Sequence, residues 1–111
     1  MTYQITLTHQ AQEDLREIFR YIAVNLLSVQ NASGQLARLE EAIASLCQMP
    51  ERFRIYDNAK WKTRNLRMMP VDKYLVFYIP DSGSALITVM RVLYGGRDID
   101  TQLANSSFHS F

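Results

Sequence analysis

Apolar residues in the N-terminal part of the chain recur at helical spacing. Residues 1–7 alternate as in a strand, and Thr8 is placed to cap a helix. This helix is predicted to run to about Leu27, with acidic residues in its first turns favouring its positive end. Its apolar positions, at intervals of four, three and four, are Ala11, Leu15, Ile18 and Ile22.

A second helical stripe follows after a short break. The break is predicted at Ser28, Asn31, Ser33 and Gly34, and Pro50 is predicted to end the second helix. Two amphipathic helices with a short connection favour an antiparallel hairpin, whose apolar face can cover a sheet. The apolar positions of the second helix are Leu36, Leu39, Ile43 and Leu46.

The C-terminal half shows strand patterns. Residues 51–62 read as an irregular loop, and a short strand is predicted over residues 63–69, ended by Pro70. Two longer strands begin at Tyr74 and Ala85 and are joined by a turn at residues 80–83. Both are apolar on both faces, which indicates central strands covered on one side by helices and on the other by loop or partner material.

The predicted fold class is α+β, with a small antiparallel β-sheet packed against an N-terminal helical hairpin. The order is βααβββ with a short C-terminal helix that Asp98 caps. At 111 residues, a single domain over residues 1–111 with one core is expected. Residues 105–111 are predicted to form a flexible tail.

Composition narrows the functional classes. With one cysteine, Cys47, and two histidines, His9 and His109, no internal disulfide, zinc cluster or other cofactor is expected. Without a basic leader or a membrane-length apolar run, the protein is expected to be cytoplasmic. The net charge is +1, but from residue 51 onward nine lysines and arginines face six carboxylates. This excess of positive charge is compatible with a polyanionic partner.

Several short segments along these elements are informative when their order in the chain is considered together. They are Thr8-His9-Gln10-Ala11-Gln12-Glu13-Asp14-Leu15, Ile18-Phe19-Arg20-Tyr21-Ile22, Met49-Pro50, Arg64-Asn65-Leu66, Tyr74-Leu75-Val76-Phe77-Tyr78 and Arg91-Val92-Leu93-Tyr94-Gly95-Gly96-Arg97-Asp98-Ile99. In this order, over roughly residues 3–103, the chain resembles the RelE/ParE superfamily of toxins from bacterial type II toxin-antitoxin systems, also known as plasmid stabilisation proteins.

The resemblance implies a RelE/ParE-like fold and a cognate antitoxin that wraps the toxin with a flexible segment. Members similar to RelE are metal-independent endoribonucleases that cut messenger RNA in the ribosomal A site. Members similar to ParE have no nuclease activity and inhibit DNA gyrase. The resemblance leaves both mechanisms open, and the toxin-antitoxin complex is expected to be hetero-oligomeric.

RNA cleavage requires a proton acceptor, a proton donor and a cation near the phosphate. RelE-like toxins usually place an arginine where this chain has Leu75, and consecutive basic residues where it has Gly95-Gly96. The remaining catalytic candidates are Arg64, Arg91, Tyr94 and Arg97. Candidates for RNA or target binding are Lys60, Trp61, Lys62, Arg67 and Tyr78.

The same residues also have structural interpretations. Arg91 is expected on the strand face that carries Ile87, Val89 and Leu93, where a charge guards an edge or pairs with a carboxylate. The strand tyrosines are interpreted as packing residues, and the Trp61 indole as the anchor of a solvated loop.

Three functions follow as hypotheses. The two missing cations and the low net charge favour a growth-arresting toxin that inhibits gyrase without nuclease activity. The first alternative is a RelE-like, ribosome-dependent endoribonuclease. The second is a non-toxic relative that serves only as a corepressor partner of the antitoxin.

Overall fold

The computed structural model describes residues 2–96 and 98–104, without the side chains of Ala59 and Lys60. A four-stranded sheet carries a helical hairpin on one face and two short helices on the other. The predicted tail over residues 105–111 lies outside the described residues. The elements are β1 (Gln4–Leu7), α1 (His9–Arg20), a π-helix (Tyr21–Asn25), α2 (Val29–Ala44), a 3-10 helix (Ser45–Cys47), α3 (Ala59–Lys62), β2 (Arg67–Val71), β3 (Tyr74–Asp81), β4 (Leu86–Tyr94) and α4 (Ile99–Ala104).

The first helix begins at its predicted cap. The Thr8 Oγ1 accepts a hydrogen bond from the Ala11 N–H (3.1 Å) and donates one to the Met90 carbonyl (2.8 Å). The cap therefore satisfies a free helix N–H and also fastens α1 to β4. After Arg20 the α-helix gives way to the π-helix, so regular helix ends before the predicted Leu27.

The break between the helices is shorter than predicted. The Ser28 Oγ accepts a hydrogen bond from the Asn31 N–H (3.2 Å) and starts α2 directly at Val29. The turn itself is made by Leu27, whose φ of 52° reverses the chain without a glycine. Asn31, Ser33 and Gly34 therefore belong to the helix, and their placement in the break was wrong.

The sheet has the strand order β1-β4-β3-β2. β3 is antiparallel to both of its neighbours, β2 and β4, as predicted, whereas β1 lies parallel to β4, so the sheet is mixed. The long connection that a parallel neighbour requires runs from β1 through the helical hairpin, β2 and β3 to β4. The predicted α+β class and the order of elements are confirmed.

A β-bulge between β3 and β4 changes which residues share a face. Phe77 pairs with Arg91, whereas the next residue, Tyr78, pairs with Val89. The extra residue in β4 reverses its alternation. Val89 consequently packs toward the helical hairpin and Leu93 toward the opposite face, so the expectation that Arg91 shares one face with both was wrong.

Apolar clusters cover both faces of the sheet. The face opposite the helical hairpin is covered by the chain's own loop together with α3 and α4. Of the two predicted alternatives, loop material and partner material, the structure therefore shows the first. The hairpin-side cluster includes Ala11, Leu39, Ile43, Leu46, Val76, Tyr78 and Val89, and the opposite cluster consists of Trp61, Leu66, Phe77, Met90, Leu93 and Leu103.

The first antiparallel strand lies further along the chain than predicted. Residues 63–65 form a turn in which Asn65 has a φ of 61°, and β2 begins only at Arg67. Pro70, predicted to end this strand, lies within it. β2 is an edge strand, and an edge position tolerates proline because the missing N–H faces away from the sheet.

Candidate functional site

The glycine corner after β4 is built around aromatic rings. The Gly95 N–H donates to the Lys73 carbonyl (2.9 Å), which closes the corner onto the β2–β3 turn. A Cβ on Gly96 would lie 2.6 Å from the Tyr94 ring, so any larger residue would require this ring to shift. Tyr94 packs edge-to-face on Tyr74 at 6.1 Å and is partly exposed. Arg97 lies outside the described residues.

A third tyrosine belongs to this corner. Burial raises the pKa of Tyr74, and the neighbouring Tyr21 and Tyr94 raise it further. Tyr21 comes from the π-helix, so the tertiary structure joins the end of α1 to the end of β4. The sequence interpretation missed this grouping because these residues lie far apart along the chain.

Arg91 is held in an ion pair with Asp14 of α1. Its Nε donates to the Asp14 Oδ2 (2.7 Å) and its Nη2 to the Oδ1 (2.9 Å), and both side chains are nearly buried, at 12% and 14% exposure. Asp14 also accepts the Val92 N–H (3.0 Å), while the Arg91 Nη1 donates to the Gln102 carbonyl (3.3 Å). The guanidinium therefore joins α1, β4 and α4. This agrees with the interpretation that Arg91 pairs with a carboxylate.

Arg67 and Tyr78 hold the start of the long loop. The Arg67 Nη1 donates to the carbonyls of Glu51 (3.1 Å) and Phe53 (2.7 Å). The Tyr78 hydroxyl donates to the Pro50 carbonyl (2.6 Å), and burial raises its pKa to about 12. Both candidates for target binding thus face the protein interior, where they position a loop.

The segment that precedes β2 carries the exposed cations Lys62 and Arg64 next to a buried tryptophan. Trp61 is 3% exposed and fills the second cluster, so its ring faces are covered by the protein. Lys62 and Arg64 are exposed beside it, whereas the Lys60 side chain lies outside the described set. The Asn65 amide donates to the Pro80 carbonyl (3.4 Å), which places this turn at the far end of β3.

The exposed candidates lie at opposite ends of β3. Tyr94 pairs with Tyr74, at the first residue of the strand, whereas the turn that holds Arg64 is bonded to Pro80. Six residues of extended chain separate these anchor points by about 20 Å. The structure therefore does not bring Arg64 and Tyr94 into one pocket, and Arg91 lies between them in its ion pair.

The loop is also joined to the last helix. The Tyr56 hydroxyl and the Asn58 amide both donate to one Asp100 carboxylate oxygen, at 2.6 and 3.1 Å. Burial, with the Asp100 bond as a smaller contribution, raises the pKa of Tyr56 to about 12. These contacts fasten α4 to the loop, and no local sequence pattern predicts them.

Two concave regions and one exposed apolar region stand out on the described surface. A cavity of about 310 Å³ is lined by Arg54, Ile55, Tyr56, Asp57 and Met68. A groove of about 270 Å³ beside β1 is lined by Ile5, Leu7, Leu15, Glu40, Ile43 and Ala44. The apolar region is the turn of the helical hairpin, where the exposed apolar residues are Tyr21, Val24, Leu26, Leu27 and Val29.

Neither a membrane span nor a metal cluster occurs in the described part of the chain. No helix there is both long enough and apolar enough to cross a bilayer. Likewise, no group of three or more histidine, cysteine, aspartate or glutamate side chains is arranged to hold a metal ion there.

Solved structures share this fold. A chain of a chromosomal ParDE toxin-antitoxin system from P. aeruginosa has a TM-score of 0.68 at 15% identity, covering 84% of this chain and 96% of its own. A chain of the RelBE2 toxin-antitoxin complex from Mycobacterium tuberculosis has a TM-score of 0.60 at 17% identity, covering 85% and 99%. A double arginine-to-alanine mutant of E. coli RelE in the free state has a TM-score of 0.65 at 11% identity, covering 92% and 93%.

The sequence comparisons specify the family further. No curated protein sequence matches this chain. The family model for the ParE toxin of the type II toxin-antitoxin system parDE matches residues 5–99, which include both long helices and all of the four strands except Gln4 of β1. The chain therefore belongs to the ParE toxin family of type II toxin-antitoxin systems.

Proposed function

We propose that this protein arrests growth by inhibiting DNA gyrase without cutting RNA, and that a cognate antitoxin neutralises it in the cytoplasm. The single observation that carries the proposal is the Arg91–Asp14 ion pair. A catalytic cation must face the substrate phosphate, whereas this guanidinium is bound on two sides and nearly buried.

The positions of the other candidates support a non-nuclease mechanism. General acid–base chemistry requires its groups within hydrogen-bond reach of one substrate. Arg64 and Tyr94 are attached to opposite ends of β3, and Tyr78 donates its proton to a main-chain carbonyl. At the position where RelE-like toxins carry an arginine, Leu75 packs in the second cluster.

The distribution of positive charge points the same way. Among the lysines and arginines in the second half of the chain, Arg67 and Arg91 both form ion pairs. Their side chains are each only 12% exposed. The exposed Lys62 and Lys73 lie near opposite ends of β3. A protein that binds ribosomal RNA gains affinity from each cation that faces the phosphates, whereas binding to a protein target does not depend on such cations.

The groove beside β1 fits the antitoxin. The N–H groups of Gln4 and Thr8 point to β4, so those of Ile5 and Leu7 alternate outward along an edge that no described strand covers. An extended segment can pair with this edge and place apolar side chains in the groove.

Two assays run in parallel test the proposed function. Purified protein is added to gyrase in a DNA supercoiling assay and to ribosomes translating a defined message. We expect loss of supercoiling and an intact message, with supercoiling restored by the small protein encoded in the adjacent open reading frame. Cleavage within ribosome-bound codons would establish the RelE-like alternative. No effect in either assay, with normal growth on expression, would establish the corepressor alternative.

A further inference from the structure

The loop before β2 forms a recess along the outer edge of the sheet. Residues 54–56 lie next to β2 as a very short additional strand. The Met68 N–H donates to the Arg54 carbonyl (3.2 Å), and the Tyr56 N–H donates to the Leu66 carbonyl (2.8 Å). The cavity of about 310 Å³ lies on this segment, and we call it the Arg54 recess. Its lining residues are Arg54, Ile55, Tyr56, Asp57 and Met68.

The main chain of Ile55 is open to a partner. Because Arg54 and Tyr56 bond toward β2, the N–H and the C=O of Ile55 between them point away from that strand. Neither group bonds to a residue that the structure describes. An extended segment that pairs with Ile55 would make two main-chain hydrogen bonds and add a strand to the sheet.

The recess carries both signs of charge. Arg54 and Asp57 are exposed, and neither forms an ion pair or a side-chain hydrogen bond with any residue in the described ranges. Tyr56 and Met68 supply apolar surface in the same recess. A peptide segment can match this mixture with an acidic, an apolar and a basic side chain. A nucleic acid matches it poorly, because the Asp57 carboxylate repels phosphates.

The walls of the recess are held in place by the chain's own contacts. The Tyr56 hydroxyl donates to the Asp100 carboxylate (2.6 Å), and the Arg67 Nη1 donates to the Phe53 carbonyl (2.7 Å) directly before Arg54. A site that is already formed loses less conformational entropy when a ligand binds. The recess is therefore suited to a segment that becomes ordered only on binding.

This chain does not itself contain a segment that fits the recess. The open edge at β1, residues 2–8, and the C-terminal residues 105–111 contain no lysine, arginine, aspartate or glutamate. Two copies could also pair through their open Ile55 groups. Antiparallel pairing would then place each Arg54 opposite Tyr56 of the second copy, with no carboxylate to meet the guanidinium. Charge complementarity therefore favours a different protein as the partner.

We infer that the Arg54 recess binds an extended segment of the antitoxin, with an acidic residue of that segment opposite Arg54. A flexible segment can adopt the extended backbone that Ile55 requires, whereas a folded target offers such a backbone only at an open sheet edge. The inference rests on the proposed function in one respect, namely that an antitoxin is the partner.

The recess and the groove beside β1 lie at opposite edges of one sheet. The strand order β1-β4-β3-β2, followed by residues 54–56, separates them by four strand spacings, about 19 Å. One antitoxin segment therefore needs at least about six extended residues to connect the two sites. Attachment at two places on one chain strengthens binding, because the second contact forms at a high effective concentration.

Arg54→Glu tests the inference by titration calorimetry with the purified small protein from the adjacent reading frame. The reversed charge repels the acidic residue, so we expect binding to weaken by about tenfold or more. The unfolding midpoint should not change, because the Arg54 side chain is exposed. Lys73→Glu alters the net charge equally at an exposed position outside the recess, and it should bind normally. Among single acidic-to-lysine variants of the antitoxin, one should restore binding to Arg54→Glu.

Other results would overturn the inference. These are wild-type affinity of Arg54→Glu for the antitoxin, loss of gyrase inhibition by the free variant, weaker binding of the variant to plasmid DNA, or a wild-type dimer that Arg54→Glu dissolves. The two readouts separate this test from that of the proposed function. If the wild-type protein binds the antitoxin but leaves gyrase active, the gyrase proposal fails, whereas weaker antitoxin binding by Arg54→Glu still supports the recess.

Discussion

At the scale of single residues, Asp14 has a role that its place on α1 does not reveal. Its carboxylate binds the Arg91 guanidinium at two points and also accepts the Val92 N–H. β1 pairs with β4 only as far as Val89, so the carboxylate takes the place of a neighbouring strand. Without this carboxylate, the Arg91 guanidinium and the Val92 N–H would lose a hydrogen-bond acceptor.

Asp14→Asn is therefore expected to destabilise the protein by about 3 kcal/mol, because it removes the carboxylate charge that faces the nearly buried Arg91 guanidinium. Chemical denaturation at neutral pH measures the change. Glu17→Gln is the matched control: it removes an ion pair with Arg20 in the same helix, but both side chains are 63% exposed, so about 0.5 kcal/mol or less is expected. Equal losses in the two variants would contradict the structural role of Asp14.

Tyr78 predicts an alkaline effect on stability. Its pKa of about 12 in the folded protein exceeds the ordinary value of 10.0, so its contribution is complete below pH 10 and is lost as pH rises through 12. Tyr78→Phe should cost about 1 kcal/mol at pH 8, where the Pro50 carbonyl loses its donor. Urea unfolding of both proteins from pH 8 to pH 11 should show this difference shrinking. A constant difference would contradict the role of the buried phenol.

At the scale of elements, the edge strand β1 and helix α2 form one docking feature. Ile5 and Leu7 of β1 and Ile43 and Ala44 of α2 line the same groove. An open edge invites pairing with another chain, and natural proteins usually protect it. A groove that continues an open edge is therefore suited to a segment that folds on binding.

Ala44→Glu is expected to weaken antitoxin binding by about tenfold, because it places a charge in the apolar groove beside Glu40. Titration calorimetry with the small protein from the adjacent reading frame measures it. Ala37→Glu, exposed on α2 two helical turns earlier, is the control and should bind normally. Equal binding by both variants would place the antitoxin elsewhere on the toxin.

At the scale of the whole molecule, three surfaces are separated. The groove beside β1, the exposed apolar turn between α1 and α2 and the exposed cations near α3 are carried by different elements. Separate surfaces let one partner mask the toxin while another contact determines its target.

Much of the fold followed from local sequence. The Thr8 cap, the two helical stripes and the paired apolar strands are short-range patterns, and their order was enough to identify the toxin superfamily. Local signals were weaker where chain geometry was unusual. Ser33 and Gly34 read as a break but continue α2, and Asn65 with its positive φ delays β2 by four residues.

The functional interpretation depended on contacts between distant residues, which local patterns do not contain. Arg91 looked like a catalytic candidate until its partner, 77 positions earlier, was brought beside it. The bulge after Phe77 then decided which face each β4 side chain occupies. The sequence by itself determined the elements, their order and the family, because these depend on local periodicity. Only the tertiary structure decided which charges are paired and which apolar residues stay exposed, because burial is a property of the packed chain.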